Sequence, residues 1–156
     1  MTDEDYMRLA IAAARRGIAA GQTPFGAVVV RDGAVVVEAH NRVWLTTDPT
    51  AHAEVVAIRQ AAQALRTIDL AGAVMYTTCE PCPMCLAAIH WSKIEAVYYG
   101  ATIADAQAAG FGELCVAAER LARLGGSPLR VESGLLRSEC AGLFAEWQAA
   151  GLSRPY

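Results

Sequence analysis

The sequence predicts an α/β chain of three layers, α-β-α, with one mixed five-stranded sheet between the helices. Three observations carry that expectation. Short valine- and alanine-rich runs alternate with longer stretches whose apolar residues recur at helical spacing. The first two runs are separated only by Asp32-Gly33, a two-residue hairpin signal that makes the first strand pair antiparallel. A helical stretch lies between the fourth and fifth runs, and a crossover of that kind joins parallel neighbours.

Taken in order, residues 2–20 read as an amphipathic helix. Thr2 caps it, Asp5 stands three residues on, Gly21 ends it, and Tyr6, Leu9, Ala13 and Ile18 fall near one face. Residues 26–31 and 34–39 are the hairpin strands, and 41–50 is a polar loop. The prolyl turn Asp48-Pro49-Thr50 then opens a helix over 51–65. A strand at 73–78 leads to a helix over 82–91, with Pro81 and Pro83 where a first turn tolerates them. Residues 95–100 form a strand, 101–113 a loop or broken helix, 116–124 a helix, 128–133 the last strand and 137–150 the last helix. Trp91 and Trp147 fall on helix faces and are expected to pack.

With 156 residues the chain is expected to be one domain spanning 1–156, large enough to bury roughly two thirds of its unfolded surface. Hydrophobic residues at 54% and charged residues at 19% exclude a disordered chain. No apolar run approaches the roughly 18–20 residues of a bilayer span, and Asp3, Glu4 and Asp5 are unlike a basic leader. The expectation is therefore a cytoplasmic protein with no membrane partner. A net charge of −3 with Lys93 as the single lysine makes a nucleic-acid partner unlikely.

The five cysteines are an odd number, poor material for a disulfide framework. Three cluster as Cys79, Cys82 and Cys85. Cys82 and Cys85 share a face at a helix start, where the positive end of the helix favours thiolates. With His52, at the start of the preceding helix, they make three donors. Zinc held by three donors keeps one tetrahedral position open, and water there is acidified to a pKa of about 7. Glu54, two residues beyond His52, is placed to accept that proton and return it to a substrate. Two other readings compete. A redox dithiol has no use for His52-Ala53-Glu54. An iron–sulfur run would need a cysteine where Ile89 stands. Cys79 is expected to lie beside the metal without binding it, since a fourth thiolate would displace the water. Cys115 and Cys140 are expected to be packing residues.

On these residues the chain resembles the cytidine-deaminase superfamily over nearly its whole length. Within it the chain is most similar to the small bacterial guanine deaminases. Pro24-Phe25-Gly26-Ala27, the run from Asp48 to Glu54 and the run from Cys79 to Cys85 carry the likeness. The resemblance implies a cytidine-deaminase-like fold, Zn2+ on His52, Cys82 and Cys85, and Glu54 as the catalytic proton carrier. It further implies Asn41 and Glu113 as contacts to the base, Phe25 and Phe111 as walls for its ring, and Tyr156 as a cap. A homodimer is implied, in which the tail is exchanged in some members. Gly112-Glu113 replaces the paired acids of some guanine deaminases, and Ser138-Glu139-Cys140 looks more like other branches. The implied reaction is hydrolysis of guanine to xanthine and ammonia. The alternatives are a cytosine, other pyrimidine, triazine or guanosine deaminase, then a tRNA adenosine deaminase, and last a non-catalytic zinc module.

Overall fold

The computed structural model describes residues 1–151 and 154–156. Its elements are α1 (Asp3–Ala19), β1 (Gly26–Arg31), β2 (Ala34–His40), α2 (Val43–Thr46), α3 (Ala53–Leu65), β3 (Ala73–Cys79), α4 (Pro83–Trp91), β4 (Ala96–Ala101), α5 (Ile103–Ala108), α6 (Ala118–Leu124), β5 (Arg130–Ser133) and α7 (Arg137–Ala149). The sheet runs β2-β1-β3-β4-β5. β1 is antiparallel to both of its neighbours, whereas β3–β4 and β4–β5 are parallel. The mixed five-stranded sheet and the β4-to-β5 crossover are those the sequence predicts.

Alternation along the strands divides the core in two. Val29, Met75 and Val97 pack with residues of α3, α4 and α6 on one face. Val28, Val30 and Tyr76 pack with residues of α1 and α7 on the other. The result is three layers. The alanines of α1 and α3 matter here, because small side chains bring these helices close to the sheet. Gly26 marks the closest approach: a Cβ there would lie 2.1 Å from the Ala10 carbonyl oxygen and 2.7 Å from the Ala14 nitrogen. Both are backbone atoms of α1 and cannot swing aside. Gly26→Ala is expected to cost about 3 kcal/mol or more, read as a lowered urea midpoint.

Two stretches, one expected as a polar loop and one as a loop or broken helix, hold short helices. The 41–50 loop contains α2, a single turn ended by Thr47 in the left-handed conformation. The 101–113 stretch contains α5, opened by a capping box in which Thr102 and Asp105 exchange side-chain and backbone bonds. The same device at Thr2 and Asp5 opens α1, as expected. The last strand is shorter than expected, four residues from Arg130. Among the described residues no helix is long and apolar enough to cross a membrane.

The four packing expectations divide. Trp147 is buried against Phe111. Trp91, expected to pack, is 81% exposed at the end of α4. Cys115, also expected to pack, is exposed in the segment before α6. Cys140 is buried beneath Gly100, and burial pushes its thiol up to about 12. A thiol kept neutral in the folded chain but free to ionise near 9 when unfolded makes the unfolded state lose protons first. Stability from this group is complete below pH 9 and falls as pH rises toward 12. Between pH 7.5 and 10.5 the wild type should lose about 2 kcal/mol more than Cys140→Ala, measured by urea unfolding at both pH values.

Candidate active site and metal centre

The site forms where α3 and α4 begin. His52 is the N-cap of α3, with extended backbone (φ −61°, ψ 156°). Cys82 is the N-cap of α4 (φ −63°, ψ 166°), and Pro83 follows it at the first helical position. The preset φ of proline and its missing N–H suit that place. Cys85 is then the third residue of α4, one turn above Cys82. The two helix starts therefore bring an imidazole and two sulfurs together.

The His52 Nδ1 atom lies 3.7 Å from the Cys82 Sγ and 3.5 Å from the Cys85 Sγ. The three donor atoms all fall within 4.8 Å of one another. Tetrahedral zinc with ordinary Zn–S and Zn–N bonds sets nitrogen and sulfur about 3.6 Å apart. The donors stand at that spacing, so the residues fit the metal. The charges fit as well. The Cys82 thiol is lowered to about 4, chiefly because Cys85 donates to its sulfur; burial opposes this and His52 assists. Cys85 is raised by that same pairing with Cys82 and by its burial. Burial alone would favour neutral His52, but Cys82 and Glu54 beside it raise its pKa. An anionic sulfur and two nearby carboxyl groups ask for a cation.

Glu54 is the second residue of α3 and only 6% exposed. Burial pushes its carboxyl up to about 7, against the pull of His52. A small inner chamber is lined by Phe25, His52, Glu54, Cys79, Glu80, Cys82 and Glu113. Beside it, sharing His52, Cys82 and Glu113, is a cleft of about 220 Å³ that also meets Pro49, Met84 and Tyr156. Drug-sized ligands occupy roughly 300–1,000 Å³, so this space suits a single small heterocycle. A larger surface cleft of about 450 Å³ beside His90 and Trp91 contains none of the three donors.

The C-terminal residues reach the cleft within the same chain. The Tyr156 ring centre is 5.5 Å from that of His52. Its hydroxyl accepts from Asn41 Nδ2 at 2.5 Å, and its backbone oxygen accepts from the Gly112 N–H at 2.9 Å. The Trp44 indole donates to the Arg154 carbonyl at 2.9 Å, and the Arg154 guanidinium lies 4.3 Å from the centre of the Trp44 ring. Five contacts thus seat residues 154–156.

The other expected residues divide between lining and support. Phe25 and Glu113 line the inner chamber. Burial, with the Cys82 sulfur nearby, raises the Glu113 carboxyl. Phe111 does not line either space. It is buried behind them, 4.9 Å from the Phe25 ring and 5.5 Å from Tyr156, because the Phe144 and Trp147 rings of α7 hold it inward. Asn41 is fully buried; its Oδ1 accepts from the Val43 N–H at 3.0 Å, fixing α2, while Nδ2 serves Tyr156. One amide proton of Asn41 is left to offer. Cys79 is buried at the end of β3, with its Sγ 3.5 Å from the Thr102 carbonyl, outside the donor group, and burial keeps its thiol protonated.

Sequence reasoning passed over Glu80 and Trp44. Glu80 sits in the Cys79–Cys85 run, but its partners, the N–H groups of Ile103 and Ala118, are distant in sequence. Trp44 is a large aromatic in a polar loop, which was a usable signal.

Three donors, a buried acid beside them and a small covered cleft define a zinc-type hydrolytic centre. Residues 1–101 match the cytidine and deoxycytidylate deaminase zinc-binding region, and the chain belongs to that deaminase family. The guanine deaminase of Bacillus subtilis (strain 168) is 48% identical over 114 residues, covering 72% of this chain and 73% of the relative. The tRNA-specific adenosine deaminase of the same organism is 37% identical over 143 residues, covering 92% and 86%. The solved structure of guanine deaminase from Nitrosomonas europaea superposes with a TM-score of 0.87 at 31% identity, covering 95% of this chain and 85% of that one.

Proposed function

We propose that this chain hydrolyses free guanine to xanthine and ammonia. The observation that carries the reading is the seat of Tyr156. It lies against the metal donors from the same chain beside a space sized for one heterocycle, an arrangement that favours a free base over one still joined to an anticodon loop. The likeness to two guanine deaminases supports the choice of base. The tRNA adenosine reading is favoured by the longer span of its relative. Against it stand the tail across the cleft and a net charge of −3.

His52, Cys82 and Cys85 would hold the metal. When bound, zinc supplies Lewis acidity that brings the pKa of water near neutrality. Glu54 takes the proton as water adds to C2 of guanine. Burial with a carboxyl pKa near 7 lets it hold that proton and then give it up. It passes protons to the ring and to the departing amine, which leaves as ammonia. Phe25 flanks the ring, Glu113 accepts from its N–H edge, Asn41 offers its remaining amide proton and Tyr156 keeps bulk water out.

Ammonia release from guanine, guanosine, cytosine, adenine, a triazine and tRNA tests the reading. Turnover of guanine well above the others is expected; preference for another substrate, or ammonia from none, overturns it. Deleting Tyr156 should raise KM for guanine about tenfold with zinc retained, the worth of one aromatic contact at about 1.4 kcal/mol. Steady-state kinetics on the shortened chain checks this, and an unchanged KM removes Tyr156 from the pocket. We also infer a homodimer; a species of 16.5 kDa in sedimentation velocity would contradict it.

A further inference from the structure

We propose that Glu80 is a positioning residue whose one carboxylate fastens both ends of the stretch carrying Glu113, and so sets Glu113 at the cleft. The inference rests on the reading of Glu113 as a contact to the base. Glu80 lies in the turn between β3 and α4 and is 9% exposed. Its oxygens are divided: Oε2 accepts from the Ile103 N–H at 3.0 Å, and Oε1 from the Ala118 N–H at 2.9 Å. Its own N–H donates to the Ala101 carbonyl at 2.8 Å, which fixes the turn to the end of β4.

Ile103 is the first residue of α5 and Ala118 the first of α6. Their N–H groups belong to the set that a helix start leaves without an internal partner. Glu80 satisfies one in each helix. Between α5 and α6, residues 111–117 have no regular structure, and Gly112 and residues 114–117 are exposed. So little packing cannot hold a segment in one shape. Its ends must be held; in between, Phe111 is packed among rings, the Gly112 N–H donates to the Tyr156 carbonyl and the Gln107 amide reaches the Cys115 sulfur. Glu80 also faces the inner chamber beside Glu113. With both oxygens engaged by backbone donors it is not free to carry protons, so its part is to position and not to react.

Two backbone donors need two acceptor oxygens. Glutamine offers one and turns an NH2 toward the other donor, so Glu80→Gln breaks one end of the clamp while keeping its volume. Glu80→Asp keeps both oxygens on a shorter stem. Hydrogen–deuterium exchange of peptides over 103–118 should quicken at least about tenfold in Glu80→Gln, with β1 and β3 unchanged and Glu80→Asp between. Zinc content should hold, KM for guanine should rise about tenfold, and kcat should stay within about twofold. In a Glu113→Gln background the same substitution should add less than about twofold to KM, because the effect passes through Glu113. Exchange that quickens across the whole sheet, exchange unchanged at 103–118, or effects that multiply with Glu113→Gln overturns the proposal. Absence of guanine turnover in the wild type defeats the substrate reading alone, and the exchange pattern still decides the clamp. If Glu80→Gln fails to fold, Glu80→Asp carries the same comparison.

Discussion

Glu54→Ala is expected to keep one zinc per chain and to lose roughly 10³-fold in kcat. Glu54 stands two residues beyond His52 on the first turn of α3, inside the chamber but outside the donor group. Removing it leaves both sulfurs and the imidazole in place. What is lost is a buried carboxyl, raised to about 7 in the metal-free site, that can accept a proton in one step and donate it in the next. Glu54→Gln is the stricter control, since it keeps the shape and a hydrogen-bonding group but transfers no proton. Zinc by elemental analysis and ammonia release by a coupled assay check both variants. Full activity in either would sink the proton-carrier role. Loss of zinc from both would make Glu54 part of the metal's support instead.

Stripping the metal with a chelator is expected to abolish turnover and lower Tm on the order of 10 °C. A ligand present at a thousandfold excess over its Kd contributes about 4 kcal/mol, and a chain of this size shifts by roughly 2–4 °C per kcal/mol. Without a cation, the Cys82 thiolate has only the Cys85 thiol and His52 to hold its charge. Adding zinc back should restore wild type and fail in Cys82→Ala. Because Cys85 retains its proton in the free site, zinc uptake at pH 7.5 should release at least about one proton, visible with an indicator in weak buffer. Turnover that survives complete chelation would remove the metal from the chemistry.

Local chemistry was legible in the sequence because it is encoded within a few residues. Asp32-Gly33 gave the hairpin, Thr2 with Asp5 gave the start of α1, and the spacing of His52, Cys82 and Cys85 placed three donors at two helix starts. The start of α5 was equally legible, since Thr102 and Asp105 repeat the pattern of Thr2 and Asp5 within the stretch expected as a loop or broken helix. Other features depend on contacts far apart in the chain. Nothing near Glu80 announces that it will bind N–H groups 23 and 38 residues away. Phe111 was legible as a candidate aromatic wall, but the rings of α7 draw it behind the cleft, where it supports Phe25 and Tyr156. Trp91 shows the limit of periodicity, which reports a helix face but not whether another element arrives to cover it.

The metal donors, Glu54 and Phe25 all precede the end of β4 at Ala101, whereas Glu113 and Tyr156 follow it. The match to the deaminase zinc-binding region ends at the same residue. This division has an evolutionary consequence. On the proposed reading of Glu113 and Tyr156, substitutions at these two positions alter which base is accepted while the reactive groups stay on two helix starts braced by the sheet. Descendants of one ancestral chain can therefore keep a common chemistry and diverge in diet, by exchanging a loop and a tail.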